Sequence, residues 1–402
     1  MEVANFGNLK IGDGFPVRIF AALNISPESF YKESVRTTPK EITEYVLKLI
    51  EEGADYIDLG AASTAPPKIY NTQMVSERVE LKRVVEAVKV IREVTDFPIS
   101  IDTQRAKVAE AALNEGANAV NDVSGFKNDP QLPRIAAEYD VPVILMAAIE
   151  KPGDAQKIGE IRDSLKKSIQ ISKEAGIDRK KIIIDPGIGF GKPHECDIVL
   201  IRDLPRLKTL RKPLMVAVSR KSFVGKILGL KNPGERLVGS LAATAIAVFN
   251  GANAIRTHDV KQTKETVKVA EAIAKATKIA EKNIYNAVEL DFLKNPDDGE
   301  EMMKVIGVSQ PGIQMMKDKT VNHNILLNNI SAPAALSLKQ HMLSVGGDVA
   351  IPEGVIDFET KRCKILLTGT TKQIKKIIPK LKMNFFDLPE IAEILLDLIQ
   401  KS

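Results

Sequence analysis

The sequence has few cysteines and no long apolar run. Cys196 and Cys363 are its two cysteines in 402 residues, so neither a disulfide framework nor a zinc cluster is indicated. No apolar stretch approaches the length that spans a membrane, and the first fifteen residues lack the apolar core of a signal peptide. We therefore expect a soluble, cytoplasmic protein with no membrane partner.

The sequence also lacks a strong excess of charge of either sign. Lysine and arginine number 57 against 52 aspartates and glutamates, which gives a net charge of +5. This balance argues against a dedicated nucleic-acid partner and leaves anionic small molecules possible. The hydrophobic content of 44% is sufficient for a large core, and the length allows one large domain and one small one.

Short apolar strands alternate with amphipathic helices through the first 280 residues. The helix over 38–52 has Thr38 as its cap, Pro39 in its first position and Glu41 to complete a capping box. Eight such strand–helix units predict a parallel (β/α)8 TIM barrel, with a doubly wound open sheet as the alternative. The predicted strands are 17–23, 55–59, 99–101, 119–120, 141–146, 182–184, 214–218 and 254–255, preceded by a hairpin over 1–16 that turns at 12–14.

The pattern changes after about residue 280. We predict a barrel domain over 1–280 and a small α+β domain over 281–402, whose role the sequence does not assign. Residues 295–299 and 309–312 carry Pro and Gly and are typical of loops. Beyond them we predict a helix over 334–345, a strand starting at Val349, a strand over 363–367, and two further helices.

The segment KIIIDPGIGFGK at 181–192 is the most informative in the chain. Three isoleucines predict a fully buried strand that ends at Asp185, and three glycines then allow the backbone to approach a flat ligand closely. A carboxylate at the end of a buried strand is costly unless something binds it.

Polar residues follow most of the other predicted strands as well. The active sites of barrels lie at the carboxyl ends of their strands. Asp102, Asn121, Asp185 and Lys221 suit a heterocycle with N–H groups and ring nitrogens, whereas Asn24, Arg256 and His258 suit a pyrophosphate with Mg²⁺ on Asn24. Ser222 is expected to begin a helix whose N–H groups face an anion.

Seven segments resemble, in this order along the chain, the motifs of dihydropteroate synthases and, more broadly, of the pterin-binding family. They cover about residues 17–275. The segments are LNISPESF at 23–30, GADYIDLGAASTAP at 53–66, ISIDT at 99–103, VNDVSG at 120–125, IDPGIGFGK at 184–192, SRKSF at 219–223 and RTHD at 256–259.

The resemblance implies a transferase that joins 6-hydroxymethyl-7,8-dihydropterin diphosphate to an arylamine and releases pyrophosphate, with Mg²⁺ as cofactor and a homodimeric assembly. Ser222 and Phe30 are implied near the arylamine, and Lys221, Arg256 and His258 are the implied catalytic residues. The implied pterin ligands are Asp102, Asn121, Met146, Asp185, Phe190 and Lys221. The implied pyrophosphate ligands are Asn24, Thr64, Arg256 and His258, with the metal on Asn24.

One departure from the family pattern keeps two other hypotheses open. Ala65 stands where these synthases usually have an arginine after the Ser-Thr pair of the second loop. The alternatives are a pterin-dependent methyltransferase that passes a methyl group to a corrinoid or thiol, and a non-catalytic pterin-binding protein.

Overall fold

The computed structural model describes residues 2–28, 32–62, 75–274 and 279–401, apart from gaps at 283–284, 289, 291–292 and 357–358. The chain divides into two compact units, Met1–Ile279 and Ala280–Ser402. Whether either unit folds without the other stays a prediction. None of the described helices is long and apolar enough to cross a membrane.

The first unit is a parallel barrel, which confirms the predicted fold. Its eight strands follow the order β8-β7-β6-β5-β4-β3-β10-β9. A parallel bridge between Ile184 and Leu214 joins the two ends, so the sheet closes on itself and the open-sheet alternative is wrong. The strands are β3 Arg18–Asn24, β4 Tyr56–Gly60, β5 Ile99–Asp102, β6 Ala119–Asp122, β7 Val143–Met146, β8 Ile182–Asp185, β9 Met215–Val216 and β10 Ala254–Thr257.

The helices that follow these strands pack their apolar faces on the outside of the barrel. Helix α1 begins as predicted, because Thr38 and Glu41 each accept a hydrogen bond from the other's backbone N–H. The helices are α1 Pro39–Glu51, α2 Glu77–Arg92, α3 Ala106–Asn114, α4 Leu132–Glu138, α5 Ile158–Glu174, α6 His194–Asp203, α7 Ser222–Leu228, α8 Leu237–Phe249 and α9 Val260–Ala274.

A hairpin closes the end of the barrel at which the strands begin. It comprises β1 (Ala4–Phe6) and β2 (Leu9–Ile11), and Phe6 packs edge-on against Phe20 and Tyr56 of the barrel strands. A turn does form at the predicted residues 12–14, closed by a hydrogen bond from the Phe15 N–H to the Gly12 carbonyl at 3.2 Å, but it follows β2 and is not the turn of the hairpin. The chain turns at residues 7–8, because pairing of Phe6 with Leu9 leaves two residues between them and Gly7 takes the left-handed conformation required there.

The second unit is built on a three-stranded antiparallel sheet in the order β13-β15-β14. Its described elements are β11 Ile279–Lys282, β12 Tyr285–Val288, α10 Pro296–Val305, α11 Gln310–Met316, β13 Asn322–Ser331, α12 Ala332–Leu343, β14 Asp348–Ala350, β15 Arg362–Thr370, α13 Thr371–Lys382 and α14 Leu388–Lys401.

Two predictions for this unit are wrong. Residues 295–299 and 309–312 are helix N-termini rather than loops, since Asn295 caps α10 and both prolines lie in the first turn, where no N–H bond is lost. In addition, β13 was not predicted, because six of its ten residues are asparagine, histidine or serine and mask the alternation that identifies strands.

Candidate active site

The parallel register of the barrel brings the predicted site residues to one edge. Asp102 lies beside Asn121 on neighbouring strands, and Met146 lies beside Asp185. Asp102, Asn121 and Asp185 are all buried. The pattern of strand-end polar residues therefore corresponds to one cluster in space, at the end where barrels hold their active sites.

Arg256 connects three strands of this cluster. Its Nε donates to Asp58 Oδ2 at 2.5 Å, and its Nη2 donates to Asp102 Oδ2 at 3.2 Å. Sequence reasoning grouped Arg256 with Asn24 and His258, whereas the structure pairs its guanidinium with two carboxylates on neighbouring strands.

Asp58 is a polar strand-end residue to which sequence reasoning assigned no role in the site. Its side chain is fully buried and accepts from Ser100 Oγ at 2.6 Å, from Asn121 Nδ2 at 3.2 Å and from Arg256. It thereby orients one predicted pterin ligand and one predicted pyrophosphate ligand at once. The only signal in the sequence was a charged residue two positions before the end of an otherwise apolar strand.

The second oxygen of Asp102 has no partner among the described residues. Oδ1 is buried and accepts no hydrogen bond, although a buried carboxylate oxygen normally does. Burial raises the pKa of Asp102 to about 7, even though Arg256 opposes the shift. A ligand that donates an N–H group to Oδ1 would remove this unfavourable state.

The glycine loop after β8 places Asp185, Phe190 and Lys221 together. Gly187 has φ of +72° and donates its N–H to Asp185 Oδ1 at 2.7 Å. Gly189 lies against the aliphatic stem of Lys221, where a Cβ atom would come within 2.7 Å of Cδ. The Lys221 ammonium lies 4.4 Å from the centre of the Phe190 ring.

Burial also shifts the ionisation of this part of the site. It raises the pKa of Asp185, and together with the charge of Arg256 it lowers the pKa of Lys221 to about 8. Lys221 is thus held close to the range in which a ligand of opposite charge or a hydrogen-bonding partner changes its protonation.

Asn24 and His258 form the other side of the site. Asn24 Nδ2 donates to Ser34 Oγ at 2.8 Å and lies 3.4 Å from His258 Nε2, while Ser219 Oγ lies 3.0 Å from His258 Nδ1. Burial and the nearby Arg256 lower the pKa of His258 to about 3, so this imidazole is neutral near pH 7. It therefore supplies a hydrogen-bonding group rather than a charge.

The remaining predicted site residues fall into two groups. Met146 is buried beside the glycine loop, and Ser222 begins α7, a helix of seven residues. Phe30 and Thr64, and the departure at Ala65, lie outside the described residues. Among the described residues, no group of three or more His, Cys, Asp or Glu side chains could hold a metal ion.

The geometry agrees with comparison to known proteins. Residues 20–258 match the model of the pterin binding enzyme family. This match covers more than half of the chain, so the chain belongs to the pterin-binding enzymes.

Within the pterin-binding enzymes, the similar proteins with a named activity are dihydropteroate synthases. The dihydropteroate synthase of Clostridium beijerinckii is 37% identical over 270 residues, which are 67% of this chain and 98% of that protein. The corresponding synthase of Synechocystis is 38% identical and covers 63% of this chain and 89% of its own length.

Solved structures give the same result for the barrel. Dihydropteroate synthase from Yersinia pestis, solved with a sulfonamide drug complex, superposes with a TM-score of 0.62 at 32% identity and covers 68% of this chain and 99% of its own. The Xanthomonas albilineans enzyme, solved with 4-aminobenzoic acid, gives a TM-score of 0.60 at 34% identity over 67% of this chain and 96% of its own.

Proposed function

We propose that this chain is a dihydropteroate synthase. It joins 6-hydroxymethyl-7,8-dihydropterin diphosphate to an arylamine such as p-aminobenzoate and releases pyrophosphate. The proposal draws on the named synthases that match nearly their full length to the barrel. The structural observation that supports it best is Asp102 Oδ1, a buried acceptor with no partner among the described residues, on a carboxylate whose other oxygen binds Arg256.

The pterin ring would lie between Asp102, Asn121, Asp185 and Lys221, beside Met146 and Phe190. A pterin presents an amidine-like edge of N–H groups, and a carboxylate can accept two parallel hydrogen bonds from such an edge. Asp185 and Asp102 supply these acceptors, while Lys221 can donate to a ring nitrogen or to the carbonyl oxygen. The ring faces would contact Met146 and Phe190.

The diphosphate would bind toward Asn24, Thr64, Arg256 and His258. The arylamine nitrogen attacks the exocyclic methylene carbon, the carbon–oxygen bond to the diphosphate breaks, and the amine loses one proton to solvent. Negative charge grows on the leaving oxygen, and Arg256 and Lys221 stabilise it most strongly when the bond is nearly broken. Pterin N–H groups that take over Asp102 would free one arm of Arg256 for this purpose.

Asn24 fits a role as a magnesium ligand. Its Nδ2 is used by Ser34, which leaves Oδ1 as an oxygen donor of the type that Mg²⁺ prefers. Mg²⁺ commonly takes one or two protein oxygens and completes its shell with waters and substrate phosphates, so the absence of a larger acidic cluster among the described residues does not oppose it. When bound there, the ion would supply positive charge to the diphosphate.

The arylamine and the assembly complete the proposal. Ser222 lies directly after Lys221 and could donate its hydroxyl to the carboxylate of the arylamine, with Phe30 covering the ring. A homodimer is proposed through the apolar outer face of α8 and α9, because four large apolar side chains there are more than half exposed. They are Ile246, Phe249, Val269 and Ile273.

Pyrophosphate binding separates a synthase from a methyltransferase. The wild type should release pyrophosphate from the dihydropterin diphosphate in the presence of an arylamine and should bind Mg²⁺-pyrophosphate saturably. Arg256→Ala should lower turnover by roughly a hundredfold or more, the scale measured for one electrostatic stabiliser. Its affinity for a pterin without phosphates should fall by a smaller factor, because losing Arg256 raises the pKa of Asp102 but removes no group that the pterin itself is proposed to contact.

The matched control is Arg206→Ala, since Arg206 forms its ion pair with Asp203 outside the site. Wild-type protein that binds pterin but neither binds nor releases pyrophosphate would contradict the proposal. That result would favour methyl transfer if a methylated pterin were turned over, and a binding protein if it were not.

A further inference from the structure

The sheet of the second unit ends on a long strand with an open outer edge. Strand β13 pairs with β15 on one side, and β15 pairs with β14. This βαββ order is that of a split βαβ fold, in which a fourth strand would lie beside the first. Here the chain continues into α13 and α14 instead, and no described strand pairs with the other edge of β13.

Before its bulge, this edge lacks the charged residues and prolines that often prevent strand pairing. Natural edge strands are short or carry charged residues and prolines, which discourage association. Residues 322–331 contain no Lys, Arg, Asp, Glu or Pro, although 27% of the chain is charged. The opposite edge differs, since β14 has only three residues and begins with Asp348.

Among the described residues, the backbone groups of β13 that form hydrogen bonds with side chains lie in its last part. The register shifts between Leu327 and Ile330, and Asn329 takes a φ of +59°. Beyond this bulge Ser331 donates its N–H to Asp387 Oδ2 at 2.7 Å, and Asn329 accepts from Arg362 Nη1 at 2.5 Å. Residues 322–327 pair in regular register with β15, and no described strand lies along their other edge.

We propose that segment 322–328 pairs antiparallel with the same segment of a second copy of this chain, which joins two three-stranded sheets into one of six strands. Pairing across a two-fold axis places similar side chains near one another, so any charge on the strand would face its own copy. The segment NHNILLN avoids this. The side chain of each asparagine carries a donor and an acceptor, so it can form hydrogen bonds with an asparagine side chain of the second copy.

The exposed face of the sheet favours the same partner. Leu326 lies opposite Leu366 on β15, and these side chains are 59% and 42% exposed. A second copy would place its own Leu326 and Leu366 beside them, so that each copy shields part of the other's apolar row. A strand from a charged partner would not provide this shielding.

One row of the sheet provides a matched pair of test variants. Leu326, Leu366 and Ala350 lie side by side across β13, β15 and β14, and both Leu326 and Ala350 are exposed. Leu326→Lys puts a charge on the proposed interface, while Ala350→Lys puts the same charge on the opposite edge. Both would be made in the full chain carrying Phe249→Glu, which disrupts the separate apolar face of α8 and α9.

Sedimentation equilibrium over a wide concentration range measures the mass of the assembly that each variant forms. The Phe249→Glu chain should be dimeric, adding Leu326→Lys should halve the mass to that of a monomer, and adding Ala350→Lys should leave the dimer intact. Asn324→Lys, on the same exposed face of β13, should also halve the mass. Agreement between the two lysine variants would show that the result does not come from a folding defect of one of them. Hydrogen exchange should show that alternate amides of 322–328 lose protection on dilution.

Two results would overturn the proposal. One is a Phe249→Glu chain that stays monomeric at every concentration, which would leave the edge for a strand of another protein. The other is equal behaviour of Leu326→Lys and Ala350→Lys with unchanged exchange in 322–328, which would locate the dimer contact elsewhere.

Discussion

The buried carboxylates at the strand ends of the barrel and the ion-paired Glu300 of the second unit have pKa values shifted in opposite directions. At the strand ends of the barrel, burial raises the pKa values of Asp102, Asp122 and Asp185, with Asp102 near 7 and Asp122 near 6. In the second unit, hydrogen bonds with Lys304 and Lys317 lower the pKa of Glu300 to about 2. The lysine partners of Glu300 favour its ionised form, whereas burial opposes ionisation of these barrel carboxylates, and Asp102 Oδ1 in addition has no partner among the described residues, which a ligand could supply.

Removal of the Asp185 charge in the barrel should have the largest effect on pterin affinity. Asp185→Asn keeps the shape of the side chain, and the amide oxygen can still accept from the Gly187 N–H. The variant should fold but bind pterin about 2–4 kcal/mol more weakly, which is the scale for truncating one member of a buried charge-assisted pair. Isothermal titration calorimetry with a dihydropterin measures the change.

The matched control is Asp122→Asn. Asp122 is equally buried at the end of β6, but its carboxylate accepts from Ser124 and Phe126 of its own loop. Its variant should lose stability and keep most of its pterin affinity. If folded Asp185→Asn bound pterin as the wild type does, the site assignment and the comparison between the two units would both fail.

Asp58→Asn should have the next largest effect, through the groups that Asp58 orients. The amide cannot balance the Arg256 charge and must turn one of its ends toward a donor, either Ser100 or Arg256. We expect kcat to fall roughly tenfold or more and the free energy of unfolding to fall by about 1–3 kcal/mol. A loss of stability without any loss of kcat would reduce Asp58 to a purely structural residue.

A smaller effect is expected from pH, because pterin affinity should fall both at acidic pH, through Asp102, and at basic pH, through Lys221. Below a pKa of about 7 Asp102 is protonated, and it must lose its proton before both oxygens can accept from the pterin. Above a pKa of about 8 Lys221 loses the proton that it donates. Affinity should therefore be greatest between about pH 7 and 8 and fall by up to about tenfold per pH unit on either side.

Calorimetry in buffers with different ionisation enthalpies counts the protons involved. Wild-type protein should release protons on binding pterin at low pH, and Asp102→Asn should release fewer. Burial also raises the pKa of Asp185, so a remainder is expected in that variant. Unchanged proton release in Asp102→Asn would mean that this carboxylate does not titrate with the ligand.

The same contrast explains what could be predicted from the sequence. The barrel, its strand ends and the residues Asp102, Asn121 and Asp185 followed from apolar strands interrupted by polar residues. The pairing of Arg256 with Asp58 could not be predicted, because it joins residues 198 positions apart. In the second unit, β13 is rich in polar residues on its exposed face, and its partner β15 follows more than thirty residues later, so local pattern gave no signal for either the strand or its open edge.

The smallest effect is expected from removing the second unit. A chain ending at Ile279 retains every described strand and helix of the barrel and all the proposed site residues, which lie between Asn24 and His258. The barrel also has a continuous core of its own, built from residues of its strands and of the helices around them. We therefore expect it to unfold cooperatively and to retain pterin affinity and kcat within about twofold, because no proposed catalytic group is lost.

If the shortened chain folded but lost activity, the second unit would have to contribute to catalysis, and the division between a reactive barrel and an unreactive second unit would be wrong. If it kept its activity but assembled with half as many copies as the full chain, the second unit would instead contribute to assembly, as proposed for the open edge of β13.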